Sequence, residues 1–184
     1  QTLGNGVLTG SIYGIYASQQ KNFIVDSIDV IGIQAASFSY GIYSNSSDSA
    51  VQIFSNNNIQ FNTSSISIRG MALYNLDQVK IFNNEIHELY STSTSTGNVL
   101  GLAVTCYDSS WIYNNKIYNL STAATSSGYA YGLNIAGNAV QRIYNNMISD
   151  IRAGAATTFP MSVAGIDFEG GNGTIQCYHN SIYL

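Results

Sequence analysis

The sequence predicts an all-β fold, a parallel β-helix of about six coils with roughly 31 residues in each, and three observations predict it. The first is the segment Ile143-Tyr144-Asn145-Asn146-Met147-Ile148, which recurs as Ile112-Tyr-Asn-Asn-Lys-Ile117, Ile81-Phe-Asn-Asn-Glu-Ile86, Phe54-Ser-Asn-Asn-Asn-Ile59 and Cys177-Tyr-His-Asn-Ser-Ile182, with Phe23-Ile-Val-Asp-Ser-Ile28 as the most worn copy. Aligned on the second Asn, these place Asp26, Asn57, Asn84, Asn115, Asn146 and Asn180 in register, at steps of 31, 27, 31, 31 and 34 residues. The second observation is a Gly-led apolar stretch ahead of each copy, at Gly14, Gly41, Gly70, Gly101, Gly132 and Gly165, with steps of 27, 29, 31, 31 and 33. Two markers that drift together at such a period are the signature of a stacked solenoid. The third is that apolar residues alternate around both markers while Ser, Thr, Gly and Asn fill the connections, so each repeat is built of strands and turns and holds no helix.

Each part of the repeat has a physical reason. A tight corner between strands needs a residue that tolerates the left-handed conformation, and Asn does so better than any residue but Gly. Buried Asn side chains stacked at one corner can also bond one another along the axis, which makes Asn57, Asn84, Asn115, Asn146 and Asn180 a structural ladder. Ile28, Ile59, Ile86, Ile117, Ile148 and Ile182 would form an apolar column beside it, each buried side chain contributing roughly 1.5 to 3 kcal/mol.

These Asn-Asn-x-Ile corners and Gly-led strands resemble the right-handed parallel β-helix repeat family, the superfamily of pectate lyases, polygalacturonases and many large secreted bacterial surface proteins. The resemblance covers residues 11–184. It implies a right-handed solenoid and an extracellular or cell-surface location, and leaves function open, since one scaffold carries lyases, hydrolases, adhesins and spacers.

The family's enzyme motifs are missing. Polygalacturonase-like chains carry Asn-Thr-Asp, paired Asp, His-Gly and Arg-Ile-Lys, and Arg142-Ile143-Tyr144 lacks the Lys. Lyase-like chains carry an acidic calcium cluster and an Arg near a Pro, whereas Pro160 has no nearby downstream Arg. The cations Arg69, Lys80, Lys116 and Arg142 do not converge with carboxylates in the repeat alignment. No residue is therefore carried over as catalytic, and the missing motifs lean against enzymatic activity.

Composition narrows the partners. Charged residues are only 9% of the chain, net charge is −4 and the six basic residues are scattered, which argues against nucleic acid. No apolar run reaches the length of a membrane span. Residues 1–10 read as a lead-in or worn coil, and 1–184 as one β-helix domain. The chain stops two residues after Ile182, in mid-coil, which predicts a segment of a longer solenoid or a subunit that stacks end to end on neighbouring copies.

Along the chain, coils begin near residues 11, 40, 70, 101, 132 and 165, with uneven loops at 90–98, 121–129 and 152–162 where specificity would be built. The run Ser91-Thr-Ser-Thr-Ser-Thr96 reads as a flexible hydroxyl-rich loop rather than an ice-binding array, because its Thr residues do not recur coil by coil. Cys106 and Cys177 stand at different offsets and two coils apart, so they read as unbridged fillers. His87 and His179 have no metal-ligand spacing, so no metal is expected, and no cofactor.

Two surface features remain. Phe82, Tyr113, Tyr144 and Tyr178 precede the corner and should stack as a half-exposed ring column, the best hint of glycan binding, although such stacks also stabilise any sheet. Tyr16 and Tyr43 share the middle of their Gly-led strands. Asp167 and Glu169 share one face of the last Gly-led strand, with Asn134 beside Asp167 on the coil below. They are the most suggestive pair for acid–base hydrolysis or for helping to hold calcium, although two solvated acids on an acidic surface would read the same. Short acceptor patterns for glycosylation occur at Asp26-Ser27, Asp48-Ser49, Asn45, Asn62, Asn119 and Asn172. Two functions fit: a structural or adhesive segment of a secreted or cell-surface bacterial protein, and a module that binds or cleaves carbohydrate.

Overall fold

The computed structural model describes residues 10–46, 50–60, 62–154 and 161–184. The lead-in at 1–9, the Asp48-Ser49 pattern and Pro160 lie outside them. Every regular element among the described residues is a β-strand, and every strand pairing is parallel. The chain is a parallel β-solenoid: the six glycines of the Gly-led strands lie over one another, giving five full steps from Gly14 to Gly165 at a mean of about 30 residues.

Each coil has three walls. A glycine wall stacks the strands Ile12–Ser18, Phe38–Asn45, the first half of Ser67–Phe82 and of Asn98–Tyr113, Ala130–Ala136 and Val163–Glu169. An approach wall leads to the Asn corner through Ile24–Asp26, Val51–Ser55, the second halves of the same two long strands, Val140–Tyr144 and Ile175–Tyr178. Past the corner, an isoleucine wall is formed by Asp29–Ile31, Asn58–Gln60, Glu85–Ser91, Lys116–Thr122, Met147–Ala153 and Ser181–Tyr183.

The two Asn residues of each corner divide the work. The first takes the left-handed conformation, at φ 53° for Asn56, 57° for Asn83, 56° for Asn114 and 55° for Asn145, with Ser27 and His179 doing the same in the terminal copies. The second forms the ladder, buried from Asn57 to Asn146 and partly open at Asn180: Asn57 Nδ2 donates to Asn84 Oδ1 at 3.0 Å, Asn84 to Asn115, Asn115 to Asn146 and Asn146 to Asn180 at 2.9 Å. The same Oδ1 atoms accept the backbone N–H of the ladder residue below at 3.0 Å. The second Nδ2 hydrogen reaches a carbonyl of the preceding coil, as from Asn115 to Ile81 at 3.0 Å. Each side-chain amide thus satisfies groups that the bend would otherwise strand.

The first coil departs from the expected register. Asp26 pairs with Ser55, not with Asn57, and the Asn57 position is taken by Ile28, whose backbone N–H donates to Asn57 Oδ1 at 3.1 Å. Ile28 is 38% exposed, and Val30 occupies the apolar column over Ile59 at 7%. With no Asn pair in this coil, Asp26-Ser27-Ile28 mimics the marker two residues early.

The glycine and isoleucine markers are two sides of one contact. A Cβ built on Gly41 would lie 2.6 Å from Ile59 Cγ2, and one on Gly14 2.5 Å from Val30 Cγ1. The core is thin enough that a hydrogen must face each branched side chain. From Ile59 to Ile148 the column is fully buried, as are Met71, Leu102 and Leu133 one residue after their glycines.

A second column of left-handed residues, Glu88, Asn119 and Asp150, bends the isoleucine wall at φ 53° to 55°. Beyond it, the Ser/Thr run is stacked rather than free: Thr125 and Ser127 donate backbone N–H groups to Thr94 and Ser95 carbonyls at 3.0 and 3.1 Å, and Thr122 Oγ1 donates to Gly97 O at 2.8 Å. Among the described residues, no helix is long and apolar enough to cross a membrane.

Candidate functional site

The interior is committed to stacking, so ligand chemistry has to come from outward-facing columns. On the approach wall, Phe82, Tyr113, Tyr144 and Tyr178 lie over one another with ring centroids 5.0, 5.0 and 5.2 Å apart and planes within 4° of parallel. The faces of the inner rings are therefore covered by their neighbours, and ring edges and phenol hydroxyls face solvent. Tyr178 is 44% exposed, and the other three are half-buried. Towards the first coil the column continues as Ser55 and Asp26. Ser55 Oγ donates to Asp26 Oδ1 at 2.6 Å, and Asn56 Nδ2 donates to the same oxygen at 2.8 Å. These bonds, with one from Ser27, lower the pKa of the exposed Asp26 carboxyl.

Two residues back along each strand runs a second outward column, Ile53, Lys80, Trp111, Arg142 and Gln176. Trp111 lies between two cations, with Lys80 Nζ 5.7 Å and Arg142 Cζ 5.3 Å from its ring. Neither cation has a carboxylate partner among the described residues. Beside this column is a groove of about 390 Å³ lined by Val51, Gln78, Lys80, Trp111, Tyr113 and Tyr144. Gln78, which lines it, donates from Nε2 to Asp108 Oδ2 at 2.7 Å.

The carboxylate pair sits on the other outer face. Asp167 pairs in register with Asn134, which donates to Asp167 Oδ2 at 2.9 Å, and Glu169 follows over Ala136. The two acids share the outer side of the glycine wall as the alternation predicts. Around them lie Tyr129 and Tyr131, stacked at 4.5 Å. Burial, with the charge of Asp167 second, pushes the Tyr131 hydroxyl up to about 12, and that hydroxyl donates to Met161 O at 2.8 Å. Tyr129 is raised as well, chiefly by burial, with Arg69 opposing and the two acids adding. Arg69 itself rests 5.6 and 5.7 Å from the rings of Tyr40 and Tyr74. Tyr16 and Tyr43 stack at 5.3 Å with parallel planes. Among the described residues, no cluster of three His, Cys, Asp or Glu side chains could hold a metal ion.

No known protein family matches the chain, and no curated protein or solved structure is found to be similar to it.

Sequence alone singles out Lys80 and Arg142 as cations apart from the carboxylates but not the column they share with Trp111, because that column changes residue type at every coil. The signal was positional: each stands four residues before its ladder Asn (Asn84, Asn115, Asn146). Of the glycosylation acceptors, Asn62 is fully buried with Oδ1 accepting the Ile33 N–H at 2.8 Å, whereas Asn172 is exposed.

Both cysteines are free, Cys106 buried and Cys177 exposed. Burial raises the Cys106 thiol to about 11, and its sulfur contacts the Asp77 and Ser109 carbonyls at 3.2 Å. A thiol reagent at pH 8 is expected to label one cysteine per folded chain rapidly and the second only on unfolding. Cys106, Tyr74 and Tyr131 all have folded pKa values above their ordinary 9 to 10, so they favour the protonated folded state. Their stabilisation is full below about pH 9 and is lost as pH rises towards 12, so the denaturation midpoint should fall across that window.

Proposed function

We propose that the chain is a structural and adhesive β-solenoid segment of a secreted or cell-surface bacterial protein, akin to the right-handed parallel β-helix repeat proteins. It acts through stiffness and through what its walls and loops present, with neighbouring solenoid segments or glycans as partners. The observation that supports this most is the ladder from Asn57 to Asn180. It devotes the buried corner amides to holding coil on coil, which makes a stiff rod and leaves chemistry to the surface. A second reading, a carbohydrate-binding module, is favoured by the groove beside Trp111. Cleavage has less behind it, because Asp167 is held by Asn134 and the cations Lys80 and Arg142 lie on a different wall.

The test is release of reducing ends from a panel of neutral and acidic polysaccharides. No release is expected. Depolymerisation that disappears in Asp167→Asn would replace the structural reading with a glycan hydrolase.

A further inference from the structure

We infer that the approach-wall groove binds an acidic glycan carrying one anionic group on every second sugar. This rests on the carbohydrate-binding reading and specifies its ligand. Lys80 and Arg142 occupy the same outward column two coils apart, with Trp111 on the coil between them. At the strand spacing of a parallel sheet that separation is about 10 Å, close to the length of an extended disaccharide. Among the described residues neither cation has a carboxylate partner, and both are held over Trp111. The protein carries a net charge of −4, and its six basic residues are few enough that two aligned in one column, Lys80 lining the groove and Arg142 two coils on, make a local exception.

The aromatic column beside them selects against one kind of ligand and for another. Because Tyr113 and Tyr144 cover each other's faces, they cannot offer the flat ring surface on which a neutral sugar stacks. They offer their edges, which carry the positive part of the ring quadrupole, and hydroxyl donors. Cation heads, ring edges, the Gln78 amide and phenol hydroxyls all complement an anionic group on a hydroxyl-rich chain. Asp108, bonded to the groove residue Gln78, is engaged by that amide. The groove of about 390 Å³ is sized for a short stretch of glycan, and its lining residues come from four successive coils, so each coil advances the ligand by about one sugar.

The experiment is affinity electrophoresis and calorimetry of the full chain with hyaluronate, which has one carboxylate per disaccharide, keratan sulfate, which has sulfate and no carboxylate, and neutral dextran. Retention by either acidic glycan and none by dextran is expected, and which acidic glycan binds identifies the anion. Lys80→Met and Arg142→Met keep the apolar stems against Trp111 and remove the charges. Each should weaken binding about fivefold, and the double variant should abolish it while its thermal midpoint stays near that of the parent. Binding should also weaken as salt rises. Equal retention by dextran, or unchanged binding in the double variant, would overturn the acidic ligand and leave the carbohydrate-binding reading standing. No binding to any of the three would remove both.

Discussion

Asn115→Leu is expected to destabilise the folded chain by about 3–6 kcal/mol, measured by urea denaturation. Asn115 is 1% exposed and sits at the middle of the ladder. Its Oδ1 accepts from both the backbone N–H and the Nδ2 of Asn84, at 3.0 and 2.9 Å, and its Nδ2 donates to Ile81 O and Asn146 Oδ1. Leucine fills the volume and leaves the Asn84 N–H, one Asn84 amide hydrogen and the Ile81 carbonyl buried without partners. Each such orphan costs about 1–3 kcal/mol. Asn115→Asp restores the acceptor but places a negative oxygen against Ile81 O and Asn146 Oδ1, so it should be no better at neutral pH. Asn180→Leu is the graded control. Its groups lie on the last described coil and are partly open to water, so the cost should be less than half. Equal stability of Asn115→Leu and the parent would mean that the amide column is not holding the coils.

Gly101→Ala comes next, with an expected loss of about 2–4 kcal/mol. A methyl there would lie 2.5 Å from Ile117 Cγ2 and 2.7 Å from the Gly132 carbonyl of the next coil. The side chain can move slightly, but the carbonyl is fixed by the parallel ladder, so relief means prising coils apart. Ile117→Ala alone should cost about 2–5 kcal/mol through its cavity. Combined with Gly101→Ala it should cost about 1 kcal/mol less than the sum, because one clash has been removed and the other remains. Gly32→Ala separates space from conformation: nothing lies within 4 Å of its Cβ, but φ is +74°, so only a backbone penalty of about 1–2 kcal/mol applies.

These two variants also mark how much the sequence revealed. The ladder positions from Asn57 to Asn180 could be read directly because a buried amide at a left-handed corner restricts both residues of the pair, and that restriction repeats. The first coil could not be aligned on that marker because Ser27 takes the corner and Ile28 the ladder position. The other marker points to the shift, although its offset is 18 from Gly41 to Ile59 and 17 from Gly165 to Ile182. The apolar column residue stands 16 positions after its glycine at Ile86, Ile117 and Ile148, and the same offset from Gly14 lands on Val30, not Ile28.

The outer surface was legible only in part. The rings from Phe82 to Tyr178 repeat in type, so their stacking followed from alternation, but parallel stacking also hides their faces, which alternation does not convey. Lys80, Trp111 and Arg142 share a position without sharing a chemistry, and a search for like over like passes through them. Solenoids place unlike residues on a common line as firmly as like ones, so a binding surface can be written in a column with no repeat in it.

The central claim is that successive coils set ladder amides and isoleucines directly over one another. Nuclear Overhauser contacts on the folded chain test it most directly. The side-chain amide protons of Asn115 should show contacts to those of both Asn84 and Asn146, and the methyls of Ile117 to those of Ile86 and Ile148. Hα–Hα contacts between antiparallel neighbours in these segments, with no amide contact from Asn115 to either Asn, would contradict it.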